Sequence, residues 1–420
     1  MSAKGTVVYL SDCAVDEKGL MDPFFRQELP WLLAHFQRVL MVSHAGVADL
    51  TAIEAGEFDR VRVEKPKGSW RAWLLGLLAP EFWREVCRML QMRPWTPVSL
   101  GKLLLFTIRG QKLHLWLEKL LGSCDPRETT LYAYWMNYDA YGAALSKKKH
   151  ADMRLLVRGH AFEIDPRRNL MNPYLMKRFI AEKADGLFFI SEYAKKQYLS
   201  YMGAEPALEK IHVVGVGSQG EPISQPLPPP LFTDGKLRLV SCAGINPIKQ
   251  IPMLIDALAA WDGVPLHWLH MGGGAEEEVA RAYAKDRLEG KRGISYRITG
   301  QVSNFEVQKT YEKQAFDVFI NTSRMEGVPV SIMEAMRFGI PVIAPRIGGI
   351  PELVEVTTGL LYAPENGAEG VLQALQVFAA LPEEKVLEMR KNNQVRWEET
   401  CRLEKLLCKL FAEGTGPGHE

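Results

Sequence analysis

Strand-length apolar runs recur along this chain with helical stretches between them, and a proline-rich break divides the series in two. TVVYLS (6–11), FFRQELPWLLAHF (24–36) and RVLMVSH (38–44) read as strand, helix and strand. LYAYWMN (131–137), RLLVRGH (154–160), GLFFIS (186–191) and KIHVVGVG (210–217) add further strands. Strands alternating with helices argue for a parallel sheet covered on both faces, an α/β architecture. EPISQPLPPPLFTDG (221–235) then puts five prolines in its first ten residues, a density that favours a stiff extended connector. Beyond it the pattern restarts with LRLVSCAG (237–244), VPLHWLHMG (264–272), SYRITG (295–300), FDVFINTS (316–323) and IPVIAP (340–345). Two Rossmann-like halves are therefore expected, with a cleft at the facing carboxyl ends of their strands. The predicted bounds are 1–222 for the first domain, 223–235 for the linker, 236–382 for the second domain and 383–420 for a C-terminal helix and tail. The amphipathic stretch from Glu383 to Ala412 is expected to cross back to the first domain.

A length of 420 residues agrees with more than one domain. Hydrophobic residues at 47% and charged ones at 24% exclude a disordered or collagen-like chain. The net charge of +1 supplies no global field toward nucleic acid, so no nucleic-acid partner is expected. Six scattered cysteines, with no C-x-x-C pair, suit neither a structural zinc site nor a disulfide framework, and fit a reducing compartment. The opening MSAKGTVVYLSD runs straight into a strand rather than a signal peptide's apolar segment, and no apolar run reaches the ~18 residues of a membrane span. The expected location is the cytoplasm.

Residues 70–120 break the alternation. They hold five of the ten Trp, with eight Lys or Arg against three Glu. Basic, Trp-rich amphipathic helices can lie in a membrane interface. Residues 46–125 thus read as a helical insertion that either faces an anionic membrane or packs its Trp into its own core.

The densest chemistry lies in SRMEGVPVSIMEAMRFGIPVIAPRIGGIPELV (323–354). Pro329 suits the first turn of a helix running to Phe338, and Gly339 with Pro341 stops that helix. Its free N–H groups, from Gly327 through Val328, Pro329 and Val330 to Ser331 (the proline having none), would favour an anionic ligand. Glu326 and Glu334 beside them are acceptor-only carboxylates, suited to sugar hydroxyls.

Glu326 and Glu334, separated by seven residues within EGVPVSIMEAMRFGIPVIA and followed by GGIPELV, resemble the signature of retaining glycosyltransferases of family 4, which have the GT-B fold. CAGINPIKQIPMLIDAL (242–258), containing Asn246, is similar to the family's strand, turn and helix carrying a phosphate-binding Lys, which falls on Lys249. LHWLHMGGG (266–274), with Gly272 and Gly273, and YRITGQVSNFEV (296–307), with Gly300, resemble the next two segments in family order. LYAYWMNYDAYGAAL (131–145), LVRGHAFEID (156–165) and LFFISEYAKKQYL (187–199) resemble bacterial polysaccharide-assembly members. The likeness covers roughly 131–360 well and 1–45 loosely, and not 46–125.

The resemblance implies that Glu334 holds the ribose of a nucleotide-sugar, Glu326 the transferred sugar, and Lys249 the diphosphate, with His160 near the anomeric carbon. Asn246, Gly272, Gly273 and Gly300 would line the donor site, and Gly19, Trp135 and Arg158 the acceptor side. No metal or other cofactor is then required, because Lys249 and the helix N-terminus supply positive charge. Three departures stand out. Gly244 occupies the place of a usual Arg, Ala161, Phe162 and Glu163 follow His160 where the family has Gly and an acid, and SDCAVDEKGLMD (11–22) carries only Gly19 where a glycine-rich loop belongs.

Each residue also has a plainer reading. Arg158 could pair with a buried carboxylate, His160 could be a core histidine, and Tyr132, Tyr134, Trp135 and Tyr138 could be core aromatics rather than a sugar platform. Glu276, Glu277 and Glu278 directly after Gly272–Gly274 would repel phosphate, so that turn reads as a close approach of base or ribose. His267 and His270 point to opposite faces of a strand, against a metal site. No G-x-S-x-G elbow suggests a hydrolase. The expected function is transfer of a hexose, with retention, from a nucleotide-diphosphate-sugar to a glycan or lipid-linked saccharide in bacterial polysaccharide synthesis. The alternatives are a sugar-nucleotide epimerase and a catalytically silent partner in glycan assembly.

Overall fold

The computed structural model describes residues 5–11, 23–42, 61–64, 70–91, 96–122, 124–164, 175–202, 208–224 and 228–413. Contacts divide the chain into two compact units, Met1–Val214 with Leu407–Glu420, and Gly215–Leu406.

The first unit runs β1 (Thr6–Leu10), α1 (Pro23–His35), β2 (Arg38–Val42), β3 (Val61–Glu64), α2 (Trp70–Leu78), α3 (Pro80–Gln91), α4 (Pro97–Leu121), β4 (Thr129–Ala133), α5 (Tyr138–Lys149), β5 (Arg154–Gly159), α6 (Ala161–Ile164), α7 (Lys177–Lys183), β6 (Gly186–Phe189), α8 (Glu192–Met202) and β7 (Ile211–Val213). Its seven strands are parallel in the order β3-β2-β1-β4-β5-β6-β7. Val8 lies between Leu40 of β2 and Leu131 of β4, all buried, which is why these strands read as continuous apolar runs rather than alternating ones.

The segment 46–125, expected to be helical, contributes β3, which pairs with β2 at the sheet edge. Its four residues, VRVE, alternate with charged residues and form no continuous apolar run. Helix α4 starts at a capping box, with Thr96 and Ser99 exchanging side-chain-to-backbone hydrogen bonds and Pro97 in the first turn. It buries Leu103, Ile108, Leu113, Leu117 and Leu121. It crosses α5 where both helices carry glycine, since a Cβ on Gly142 would stand 2.6 Å from the Gly110 carbonyl oxygen.

The second unit runs α9 (Leu231–Asp234), β8 (Leu237–Cys242), α10 (Ile251–Ala259), β9 (Leu266–Met271), α11 (Glu277–Leu288), β10 (Ile294–Ile298), α12 (Asn304–Lys313), β11 (Val318–Ile320), α13 (Val330–Arg337), β12 (Val342–Pro345), α14 (Ile350–Leu353), β13 (Gly359–Tyr362), α15 (Gly367–Ala379), α16 (Glu383–Thr400) and α17 (Leu403–Glu413), whose last residues belong to the first unit. Six parallel strands follow the order β10-β9-β8-β11-β12-β13. The strand order reverses between β8 and β11, the place where α/β sheets of this kind open a ligand crevice beyond their carboxyl ends. Apolar side chains cover both faces of this sheet, Leu239 and Trp268 on one and Val240 and Phe319 on the other.

The observed division differs from the expected one at both crossings. Gly215–Ser218 is bonded to the start of α17: the Ser218 N–H donates to the Cys401 carbonyl, the Leu403 N–H to the Ser218 carbonyl, and the buried Trp397 indole to Ser218 Oγ. The second unit therefore begins at Gly215 rather than after 222. Ile223 and Leu231 are held to that unit as well, with Gln394 donating to the Ile223 carbonyl and the Leu231 N–H donating to Asp317. Helix α16 stays with the second unit through the Arg390 bond to the Phe316 carbonyl, so only Leu407 onward returns to the first.

Candidate functional site

The carboxyl ends of β8 and β11 carry Lys249 and Glu326, the loops on either side of the strand-order reversal. The two loops are laced together through the backbone. Thr322 Oγ1 donates to the Lys249 carbonyl at 2.8 Å, and the Arg324 N–H donates to the Ile248 carbonyl at 2.9 Å. Lys249 Nζ then reaches Glu326 Oε1 at 2.5 Å. Asn246 shapes this loop: its Oδ1 accepts from the Ile248 N–H at 2.9 Å and its carbonyl from the Lys249 N–H at 3.1 Å. Its side-chain oxygen is thus engaged in the turn that presents Lys249.

Helix α13 begins one residue later than expected, with Pro329 as the residue before its first turn. Gly327 and Pro329 are buried, and Val328 and Val330 half-buried, with Val328 packed against the core below. Gly349 donates to the Gly327 carbonyl at 2.8 Å, so the loop after β12 braces the Glu326 loop. That brace needs glycine at 348, where φ is +52° and a Cβ would stand 2.0 Å from the Glu326 carbonyl oxygen.

Glu334 projects from the second turn of α13 and is nearly buried. Asn304, the first residue of α12, donates to its carboxylate. Burial pushes the Glu334 carboxyl up to about 7, against the hydrogen bonds from Asn304 and Gln308 and the charge of Arg337, which lower it. Beneath it, burial raises the Cys242 thiol to about 12 and holds the Tyr311 hydroxyl well above its ordinary range. Asn304, Thr322 and Cys242 were not singled out from the sequence. A sharper signal existed for Asn304, because SNFE (303–306) spells a capping box and Ser303 with Glu306 forms one.

The glycine turn after β9 serves the chain itself. Gly272, with φ +142°, leaves no room for a Cβ because the Ala243 carbonyl oxygen would lie 2.0 Å away. Its N–H donates to the Gly300 carbonyl, and the Gly273 carbonyl accepts from the Ile245 N–H at 2.7 Å. The loop after β8 fills the side of Gly272 where a Cβ would stand, so chain packing by itself requires glycine there. A Cβ on Gly273 or Gly300 would meet the Glu277 carboxylate, which pairs with Arg281. Gly244 is different: a Cβ there would meet nothing nearer than 3.6 Å, so the position lacks the arginine without being sterically closed to one. His270 is buried against Ser241, and His267 bonds Ser295.

In the first unit, His160 directly follows the last residue of β5, Gly159. Its buried ring lies 4.3 Å from the half-buried Trp135 ring and 4.7 Å from that of Tyr134. Burial lowers its pKa foremost, Arg158 adds to that, and Glu163 opposes it. Among the described residues neither ring nitrogen has a hydrogen-bond partner, Glu163 Oε1 standing 3.6 Å from Nδ1. Glu163 instead accepts from the backbone N–H groups of Met136 and His160, tying the β4 and β5 ends together. Arg158 is not on an acceptor surface. It is fully buried, donates to Glu28 at 2.7 Å and to the Tyr132 hydroxyl at 3.2 Å, and so balances a buried carboxylate. Tyr132 and Tyr134 are core. Gly19 lies outside the described residues.

Residues 236–379 match the family described as Glycosyl transferases group 1. The chain is 31% identical over 176 residues to the amylovoran biosynthesis glycosyltransferase AmsK of Erwinia amylovora, a match spanning 40% of this chain and 41% of that protein. The chain thus spans about two fifths of the curated relatives it matches first. Among solved structures, Anabaena HepE in complex with UDP aligns over 97% of this chain and 98% of its own with a TM-score of 0.65 and 16% identity. Sucrose-phosphate synthase of Thermosynechococcus elongatus aligns over the same shares with a TM-score of 0.68 and 16% identity. The two parallel sheets are therefore those of the GT-B fold, and the stretch 236–379 within the second of them is similar to the group 1 glycosyl transferases.

Proposed function

We propose that this protein transfers a sugar, with retention, from a nucleotide-diphosphate-sugar to a saccharide acceptor in bacterial polysaccharide assembly. The observation that carries the reading is the pairing of Lys249 with Glu326 across the strand-order reversal of the second sheet, beside the N-terminus of α13 and the buried Glu334. A cation, helix N–H groups and two carboxylates are the parts a glycosyl diphosphate needs. Lys249 exchanges Glu326 for the diphosphate, and Glu326 is then available to the sugar hydroxyls. Glu334 accepts from the ribose. The bond from the anomeric carbon to the diphosphate oxygen breaks, its electron pair leaving on the nucleoside diphosphate. The acceptor oxygen bonds the same face of the sugar, and its proton passes to the departing phosphate. Lys249 and the α13 N–H groups stabilise the charge that develops there, an effect whose loss costs about 3 kcal/mol per contact.

No metal is required in this reading. Uridine donors head the candidates, because the HepE structures hold UDP and UDP-glucose. His160 and Trp135 are assigned to the sugars on the first-domain side. The acceptor is a lipid-linked saccharide at the cytoplasmic face of the membrane, reached by a peripheral contact within residues 70–120. Incubation with sugar nucleotides and lipid-linked saccharides tests this. The expected result is nucleoside diphosphate released only with acceptor present, with the anomeric configuration kept and EDTA without effect. An inverted linkage would contradict the retaining step, and conversion of the donor alone would indicate an epimerase.

One observation favours a second reading. With Gly244 in the place of the family's Arg and Lys249 engaged by Glu326, the diphosphate subsite is short of cations, as a catalytically silent binding partner would be. Such a protein would bind no sugar nucleotide, and Glu334→Ala would leave its function intact.

A further inference from the structure

Helix α2 is built inside out. Its inward face is Ala72 and Gly76, and a Cβ on Gly76 would meet Ile108 of α4 at 3.0 Å. Its large side chains point the other way: Trp70 is 73% exposed, Trp73 53%, Leu74 49% and Leu78 65%. Exposed single apolar residues are ordinary, but a contiguous set of this size on one short helix is not. The set continues around the corner into α3, where Trp83 is exposed and its indole N–H donates to the Leu77 carbonyl at 2.8 Å, fixing the α2–α3 turn.

The charges are sorted in the same sense. Among the described residues of Trp70–Leu121, the exposed charged groups are Arg71, Arg84, Lys102, Arg109 and Lys119, all basic. The acids are drawn inward, Glu81 buried and paired with Lys148 at 2.8 Å, Glu85 buried and paired with Arg88 at 2.7 Å. Helix α4 exposes only Val98 and Leu105 among its large aliphatic side chains, its other leucines being buried or half-buried, so it carries no comparable apolar face. The whole segment was the candidate from sequence, and the structure narrows it to one corner. Among the described residues no helix is long and apolar enough to cross a membrane, so this corner can lie in an interface but not span one.

We infer that α2 and the first turn of α3 form a wedge that seats in the interface of an anionic bilayer, with Trp70, Trp73, Leu74 and Leu78 among the acyl chains and Arg71 and Arg84 at the lipid phosphates. Trp in the interface and arginines at its rim are the composition such a surface needs, and a partner copy of the chain would meet like charge there. The inference deepens the peripheral contact proposed above and rests on that part of the reading.

Sedimentation of the full chain with vesicles tests it, using phosphatidylcholine alone and an equal mixture with phosphatidylglycerol. Wild type is expected to bind the anionic vesicles at least about tenfold more tightly than neutral ones, losing about fivefold for each arginine reversed in Arg71→Glu and Arg84→Glu, and to be released by salt. Trp70→Ser/Trp73→Ser/Leu74→Ser, with an unchanged unfolding temperature because all three are solvent-facing, is expected to stay in the supernatant. In wild type, lipids brominated near the headgroup should quench the tryptophan emission, a readout that needs no variant. Wild type left in the supernatant, a triple variant bound as well as wild type, or self-association through this face without lipid binding would each overturn the wedge. UDP-glucose binding by the same preparations separates a failed wedge from a failed donor site.

Discussion

Burial sets the Glu334 carboxyl at about 7, so its ionisation falls where binding is measured. In the proposed site the ribose hydroxyls would donate to the ionised form. UDP-glucose, whose phosphates are both esterified and do not titrate in this range, should therefore bind about tenfold more tightly at pH 8 than at pH 6. Calorimetric titration checks this, and Glu334→Gln should flatten the profile. The stability effect has the opposite sense. The folded value lies above the ordinary 4.5, so the fold favours the protonated form, and the cost of ionising it builds from about 4.5 to about 7 and is constant above. The stability gap between Glu334→Gln and wild type should widen over that range in chemical denaturation. Gly244 offers a gain of function. The open space at its Cβ position should let Gly244→Arg tighten sugar-nucleotide binding by about tenfold or more, the worth of one charge-assisted hydrogen bond. An unchanged or weaker affinity would show that the subsite does not lack a cation. At this scale the sequence was most informative at Glu326 and Glu334, which residue type and position single out, and at Lys249, which the family resemblance singles out. It offered a buried carboxylate as a partner for Arg158 without naming Glu28, which is 130 positions away, and was silent on Asn304, whose link to Glu334 depends on two helices meeting.

The elements act as holders of these side chains. Thr322→Val removes the bond to the Lys249 carbonyl without changing any charge, and should weaken sugar-nucleotide binding by about fivefold while stability falls by about 1 kcal/mol. Gly348→Ala should do more, since a left-handed backbone and a clash with the Glu326 carbonyl act together; a loss of about 1–3 kcal/mol in thermal unfolding, with weaker donor binding, is expected. Most strands were legible because buried parallel strands are continuous apolar runs, as in LRLVSC and LFF. The exceptions are β3 and β13, both at sheet edges; in β3 the sequence VRVE alternates with charged residues and forms no continuous apolar run. The inverted face of α2 was legible only as composition, because which side of an amphipathic helix faces inward is decided by the small residues that fit against α4.

For the whole molecule, the two-domain α/β architecture followed from the repeated alternation, but the crossings did not. Proline density pointed to 223–235, whereas the Ser218 N–H donates to Cys401, Ser218 accepts from Leu403 and Trp397, and the first crossing lies at Val214/Gly215. The last residues of α17 complete the first unit, with Leu407 and Leu410 fully buried and the Phe411 ring against Trp31 and Tyr132. Truncation after Leu406 should therefore destabilise the first unit by several kcal/mol, at about 1.5–3 kcal/mol per buried large side chain, and leave sugar-nucleotide binding by the second in place. Limited proteolysis beside a binding assay reads both.

The central claim is a sugar-nucleotide site built from Lys249, Glu326 and Glu334. Thermal unfolding of wild type, Lys249→Ala and Glu334→Ala with a panel of nucleoside diphosphates and their sugars, with and without EDTA, tests it most directly. A ligand at ~100 times its dissociation constant stabilises by ~2.7 kcal/mol. The expected result is a rise for one base, present with EDTA and lost in both variants. No rise for any nucleotide in folded wild type, or a rise that survives both substitutions, would contradict it.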